Sequence, residues 1–191
     1  MFRTKINRVI QLFALIALVT VALQSVQANT LDNNNGPLLP EECSSIRVDA
    51  GHKLSFHTYA RGVQIYKWNV ATQMWDFVAP MAGLYAEEKF FGEVGSHYVG
   101  PKWESKSGSK VEARRVQGTG CTPDPSAIAW LLLSKHSTEG SGIFSSVTFI
   151  QRVNTTGGLA PALPGSFHGE TKEIPYTAEY YFYKAENPNS N

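Results

Sequence analysis

His97 and Glu104 flank a break at Gly100-Pro101, and a second polar stretch, Arg152-Val153-Asn154-Thr155-Thr156, runs into Gly157-Gly158. A histidine and a carboxylate within reach of each other can share a proton or a metal ion. On one continuous strand the two would face opposite sides, because their spacing is odd. The Gly-Pro break is what could return them to a common face. Both stretches gather polar side chains among glycines, which let backbones approach closely, and loops of this kind carry function on a rigid scaffold. The expectation is one pocket at one end of the fold. Trp103 would form its apolar wall, and His97, Glu104, Arg152 and Asn154 its polar groups. The plain structural alternative has His97 bonding a local backbone group. Glu104 would then pair with a nearby lysine, or with Arg152 to tie two loops together.

Stronger chemical signatures are missing. Adding His57 or His168 to His97 and Glu104 gives a possible metal cluster, but no two histidines stand at a ligand spacing. Gly140-Ser141-Gly142 is a turn signal and not a nucleophile elbow. The Arg152-to-Gly158 exit lacks the Lys-Ser/Thr pair of a phosphate loop. No catalytic residue, metal or cofactor is therefore expected. Asn154-x-Thr156 is an acceptor sequon, meaningful only in a eukaryotic secretory pathway. The aromatics Trp68, Trp75, Trp103, Tyr66, Tyr98, Tyr181 and Tyr183 sit in or beside strand-like segments. There they would stack on a sugar ring, hold an apolar ligand, or simply pack a core. The reading from these residues is a non-catalytic binding protein for a sugar or a small apolar ligand. Its alternative is a hydrolase or metal-dependent enzyme centred on His97 and Glu104.

The elements that must position these groups read as strands. Residues 127–133 are apolar throughout and confined by Pro123, Pro125 and the glycines after residue 139, which favours a strand buried on both faces. Residues 143–153 alternate, with Ile143, Val147, Phe149 and Val153 on one parity and Arg152 on the other, as in a half-buried strand. Residues 134–142 read as an open connection between the two. Earlier in the chain, residues 46–48, 54–59, 63–70 and 75–78 are strand-like. Turns are expected at Ala50-Gly51, Arg61-Gly62 and residues 71–73, and Pro80 is expected to end a strand. Short strands and glycines continue to residue 116, then a loop holding Cys121. Residues 157–173 read as a Gly- and Pro-rich excursion. In the last strand Tyr176, Ala178, Tyr180 and Phe182 share one face. The fold class is all-β, an antiparallel β-sandwich or small β-barrel of many short strands.

The chain opens with Arg3, Lys5 and Arg8, an apolar run over residues 9–23, and Val26-Gln27-Ala28, the layout of a secretory signal peptide cut after Ala28. The apolar run falls short of the ~20 residues of a membrane span. Residues 29–42 form a flexible lead-in, 43–185 a single β domain and 186–191 a polar tail, placed in the periplasm or secreted. Without Arg3, Lys5 and Arg8 the chain has 14 Lys and Arg against 16 Asp and Glu, a net charge of −2. That is no footprint for nucleic acid or an anionic membrane. Cys43 and Cys121 are the two cysteines, and an exported protein keeps disulfides, so a bridge between them is expected. The sequence does not fix oligomeric state.

The order of several blocks resembles the DUF3455 family of secreted bacterial and fungal proteins of uncharacterised function. The blocks are Ala60-Arg61-Gly62-Val63-Gln64-Ile65-Tyr66, Ala79-Pro80, Gly95-x-His97-x-x-Gly100-Pro101-x-Trp103-Glu104, Ala127-Ile128-x-Trp130-Leu131-Leu132-Leu133, Ile150-Gln151-Arg152-Val153-Asn154-Thr155-x-Gly157-Gly158, and Pro175-Tyr176-Thr177-Ala178 before Tyr181-Phe182-Tyr183. The resemblance implies an exported single-domain protein. The malate dehydrogenase label of some fungal members finds no strand–GxGxxG–helix unit here. The family pattern often places a cysteine after the Gln-Ile-Tyr block and another before Pro-Tyr-Thr. Here Trp68 fills the first place and residues 164–170 have none, so the Cys43–Cys121 bridge is not carried over from the family.

Overall fold

The computed structural model describes residues 36–186. The signal peptide expected at 1–28, the first half of the lead-in and the last five residues lie outside them. Eight antiparallel strands succeed one another and close into a barrel. They are β1 (His52–Asn69), β2 (Met74–Tyr85), β3 (Glu93–Tyr98), β4 (Lys102–Ser105), β5 (Lys110–Arg115), β6 (Leu131–Glu139), β7 (Val147–Gly157) and β8 (Thr171–Ala185). β8 pairs with both β7 and β1, which completes the ring. Closure leaves the side chains to alternate between the interior and the outer surface. The last strand does this as its sequence implies, with Tyr176, Ala178, Tyr180 and Phe182 in the core.

The wall is uneven in height. β1, β2 and β8 have 18, 12 and 15 residues, whereas β3, β4 and β5 have 6, 4 and 6. β3 pairs with β2 only at Ala82, Gly83, Leu84 and Tyr85, so the first part of β2 has β1 as its one strand neighbour. One end of the interior is filled by aromatic rings. Phe56 stacks on Phe182 at 4.5 Å, and Phe144 packs against both at 5.3 and 5.1 Å.

A second cluster lies on the outer face of β6, β7 and β8. Cys43 and Ile46, from a 3-10 turn at Glu41–Ile46, cover Trp130, Leu132 and Val153. The Cys43–Cys121 disulfide ties this segment to the loop after β5. Gln151 donates from Nε2 to the Ile46 carbonyl at 2.6 Å.

Several sequence expectations need correction. Residues 46–48 are not a strand, since the chain there leaves the 3-10 turn. Arg61-Gly62 is not a turn, because β1 runs through it unbroken. Glycine is required at 62 by a close strand approach: a Cβ there would lie 2.1 Å from the Met81 carbonyl oxygen. Pro80 does not end β2. It lies opposite Gln64, at a level of β2 that β3 does not reach, where a missing N–H breaks no ladder bond on that side. Residues 127–130 are buried or half-buried but not in a strand, apart from a bridge between Trp130 and Cys121. Residues 134–139 belong to β6. Their exposed, polar side chains gave no apolar alternation to read. β7 starts at Val147, and a register shift between Val147 and Phe149 changes the facing of the later residues of the strand. Phe149 and Val153 then meet the outer cluster, while Ile150 joins the barrel core. Arg152, two residues after Ile150, lines an interior cavity.

Candidate functional site

The cavity measures about 220 Å³ and opens beside the low wall. Gln64, Pro80, His97, Trp103, Leu133 and Tyr180 are its buried lining, and Phe77 and Val78 form an exposed rim at 55% and 48% exposure. Gly100 and Pro101, in the β3–β4 turn, lie across the opening from β2. The mouth comes from strand lengths: β2 stands past the end of β3, and the short hairpin leaves a notch.

The floor is built from cross-strand partners. His97 and Trp103 are opposite each other on β3 and β4 and therefore share a face. Their rings stack at 4.2 Å and 11°. Tyr180 meets Trp103 edge-on at 5.4 Å and His97 at 5.2 Å. Arg152 on β7 lies opposite Tyr180 on β8 and opposite Leu131 on β6. Its Nε and Nη2 donate to the Ala129 carbonyl at 3.1 and 2.7 Å, which fixes the guanidinium. Thr155 likewise donates to the Ile128 carbonyl at 2.5 Å. Side chains of β7 thus satisfy residues 128 and 129, which have left the ladder.

His97 is 3% exposed. Its Nδ1 faces the Lys102 carbonyl at 2.9 Å, so Nδ1 carries the hydrogen and Nε2 the lone pair. Burial lowers its pKa to about 3, against the opposing pull of the Lys102 carbonyl and with a smaller contribution from Arg152. The imidazole is neutral at physiological pH. Burial also raises the Tyr180 and Tyr176 hydroxyls. Those two hydroxyls interact with each other, and Tyr180 with Arg152, though neither reaches full hydrogen-bond geometry. Gln64 Nε2 and Trp103 Nε1 are buried without partners. Each such donor costs about 1–3 kcal/mol of desolvation.

The five residues named from the sequence divide. His97, Trp103 and Arg152 line the one cavity. Glu104 lies one residue beyond Trp103 on β4 and faces outward, accepting from the Tyr98 hydroxyl at 2.6 Å and lying 3.7 Å from Lys110 Nζ. That hydrogen bond, with smaller effects of burial and the carboxylate charge, raises the Tyr98 pKa to about 12. Asn154 is also outside and donates to Glu179 at 2.9 Å. Glu179 accepts from Tyr181 as well and pairs with His57 Nε2, each at 2.9 Å. Burial would raise the Glu179 pKa, but these bonds together lower it. No group of three His, Cys, Asp or Glu side chains suited to a metal occurs among the described residues. Gln64 and Tyr180 were missed as site residues. The parity of β8 pointed to Tyr180 as inward-facing, whereas nothing local marks Gln64.

The family model described as "Protein of unknown function (DUF3455)" matches residues 49–184. The chain belongs to this family. No curated protein and no solved structure matches it.

Proposed function

We propose that the protein is a non-catalytic, extracytoplasmic binding protein that takes a small, largely apolar ligand into the barrel through the notch beside the β3–β4 turn. The observation that carries this reading is the unfilled interior. An eight-stranded barrel is just wide enough to be packed by side chains or to hold one small ligand. Here the aromatic end is packed, while the other end keeps a cavity with apolar walls and buried donors that have no partner. Preformed apolar pockets with a few convergent polar groups are the usual form of a ligand site. Glu104 faces away from His97, so an acid–base pair centred on the two is the weaker reading.

The working unit would be residues 43–185 after loss of 1–28, acting in the periplasm or outside the cell. The disulfide fits that compartment. Among the described residues no helix is long and apolar enough to cross a membrane. Intact-mass measurement should find a mature start near Asn29. An uncleaved Met1 form in the membrane fraction would contradict export.

The test of binding is native mass spectrometry of protein from its own host. One small molecule per chain is expected, and Val78→Trp at the rim should deplete it without changing the fold. Protein that arrives empty and shows no saturable response to octanol or indole would overturn the reading.

A further inference from the structure

The charge of the cavity is one-sided. Arg115 and Arg152 line it, and no Asp or Glu does. Arg115 is exposed and committed through Nε and Nη2 to the Thr119 carbonyl at 3.0 and 2.6 Å. Arg152 is half-buried, and no carboxylate lies within ion-pair distance of it among the described residues. A cation withdrawn from water is normally paired. Arg152 donates from Nε and Nη2 to the Ala129 carbonyl and the Tyr180 hydroxyl lies against it, but both of these partners are neutral. The Gln64 amide and the Trp103 indole, which line the same cavity, add buried, unpartnered donors. His97 Nε2 is an acceptor, but a neutral one.

We propose that the ligand is a small monocarboxylate with an apolar body, and that Arg152 is the residue that binds its carboxylate. This rests on the binding function proposed above and names its ligand class. The carboxylate supplies the charge and the acceptors that the interior lacks, through charge-assisted bonds of the strong kind. The apolar body lies along Leu131, Leu133 and Pro80 towards Phe77 at the rim. At about 220 Å³ the cavity is smaller than the pockets that hold drug-sized molecules, which start near ~300 Å³. One aromatic ring or a short chain is the size that fits. Arg152 is the inner cation and Arg115 stands exposed at the mouth, an arrangement that suits a single negative charge held inside better than a phosphate.

The experiment is isothermal titration of the purified protein with two matched pairs, octanoate against octanamide and phenylacetate against phenylacetamide. The acid of at least one pair should bind about tenfold more tightly than its amide. The preference should survive ~1 M salt, because buried pairs are poorly screened. Arg152→Gln should bring acid and amide within about twofold, and Arg152→Lys should keep part of the preference. Arg152 also holds residue 129, so circular dichroism must show each variant folded. If the glutamine variant unfolds, the wild-type ratio and its salt dependence decide. Equal binding of acid and amide by the wild type would refute the carboxylate while leaving the binding site intact. A preference lost in salt would place the anion on exposed Arg115 and refute the role of Arg152. Absence of binding by all four compounds, together with an empty native-host protein, would remove the binding function itself.

Discussion

His97 lies flat on Trp103, its strand partner, while its Nδ1–H is spent on the carbonyl of Lys102. The pair makes a neutral floor, and its neutrality has an effect on stability. The folded-state pKa of His97 is about 3, against an ordinary 6.5. Below ~6.5 the unfolded chain takes up a proton that the folded chain refuses. The associated stability is complete above that pH and declines as pH falls, by about 1.4 kcal/mol per unit, until pH nears the folded value. Urea melts at pH ~6.5 and pH ~4 should therefore show a loss smaller by roughly 3 kcal/mol in His97→Gln than in the wild type. An equal loss in both would mean that the imidazole is protonated in the fold.

Gln64 sets binding against stability. Its Nε2 is buried without a partner in the empty barrel. Gln64→Leu removes that penalty at similar volume, so the ligand-free protein should melt at the same temperature or higher. Affinity for octanoate should fall. Paired calorimetric scans and titrations check both halves, and a clear drop in melting temperature would show that the amide has a structural partner.

The Cys43–Cys121 bridge spans 78 residues and clamps the 3-10 turn over the outer cluster. On the chain-entropy account, closing so long a loop contributes roughly 4 kcal/mol. Thiol titration of denatured, unreduced protein should find no free cysteine. The Cys43→Ser, Cys121→Ser double variant should lose stability of that order, and two thiols per wild-type chain would contradict the bridge.

Gly62→Ala is a test of strand approach. The added methyl would press on the Met81 carbonyl and on Ala82. Overpacking of this sort costs about 1–3 kcal/mol. Denaturant melts should show that loss, and a neutral result would mean that β1 and β2 separate more easily than their contact implies.

The sequence conveyed the fold class through short alternating segments, and in β8 it sorted onto one face the four residues that prove to be in the core. Where it misled, a side chain had been judged by local habit alone. Gly62 and Pro80 read as punctuation because a turn needs such residues more often than a strand does. Their places are set by the Met81 carbonyl and by the end of β3, both remote in sequence. Val147 read as sharing a face with Phe149 and Val153 because alternation was counted from Ile143, while the register shift near Phe149 puts Val147 in the barrel core and the other two in the outer cluster. Glu104 and His97 read as partners because they are near in sequence, but a hairpin returns Trp103 to the face of His97 and turns its neighbour outward. The cavity itself arises from unequal strand lengths, a property of no single segment.

The tall side of the barrel has a consequence for how copies of the protein meet. Past the low wall, β8, β1 and β2 continue as a three-stranded flap. Residues 74–81 of β2 and 171–175 of β8 each have β1 as their one strand partner. A closed barrel has no free margins, but this flap has two, and an unpaired margin is a template for another chain. Each carries a proline, Pro80 on one and Pro175 on the other, with Asp76, Lys172 and Glu173 nearby. Proline offers no N–H to a visiting strand, and a buried charge would be the cost of docking. The notch leaves an open margin, and these residues oppose its use as a seam between molecules.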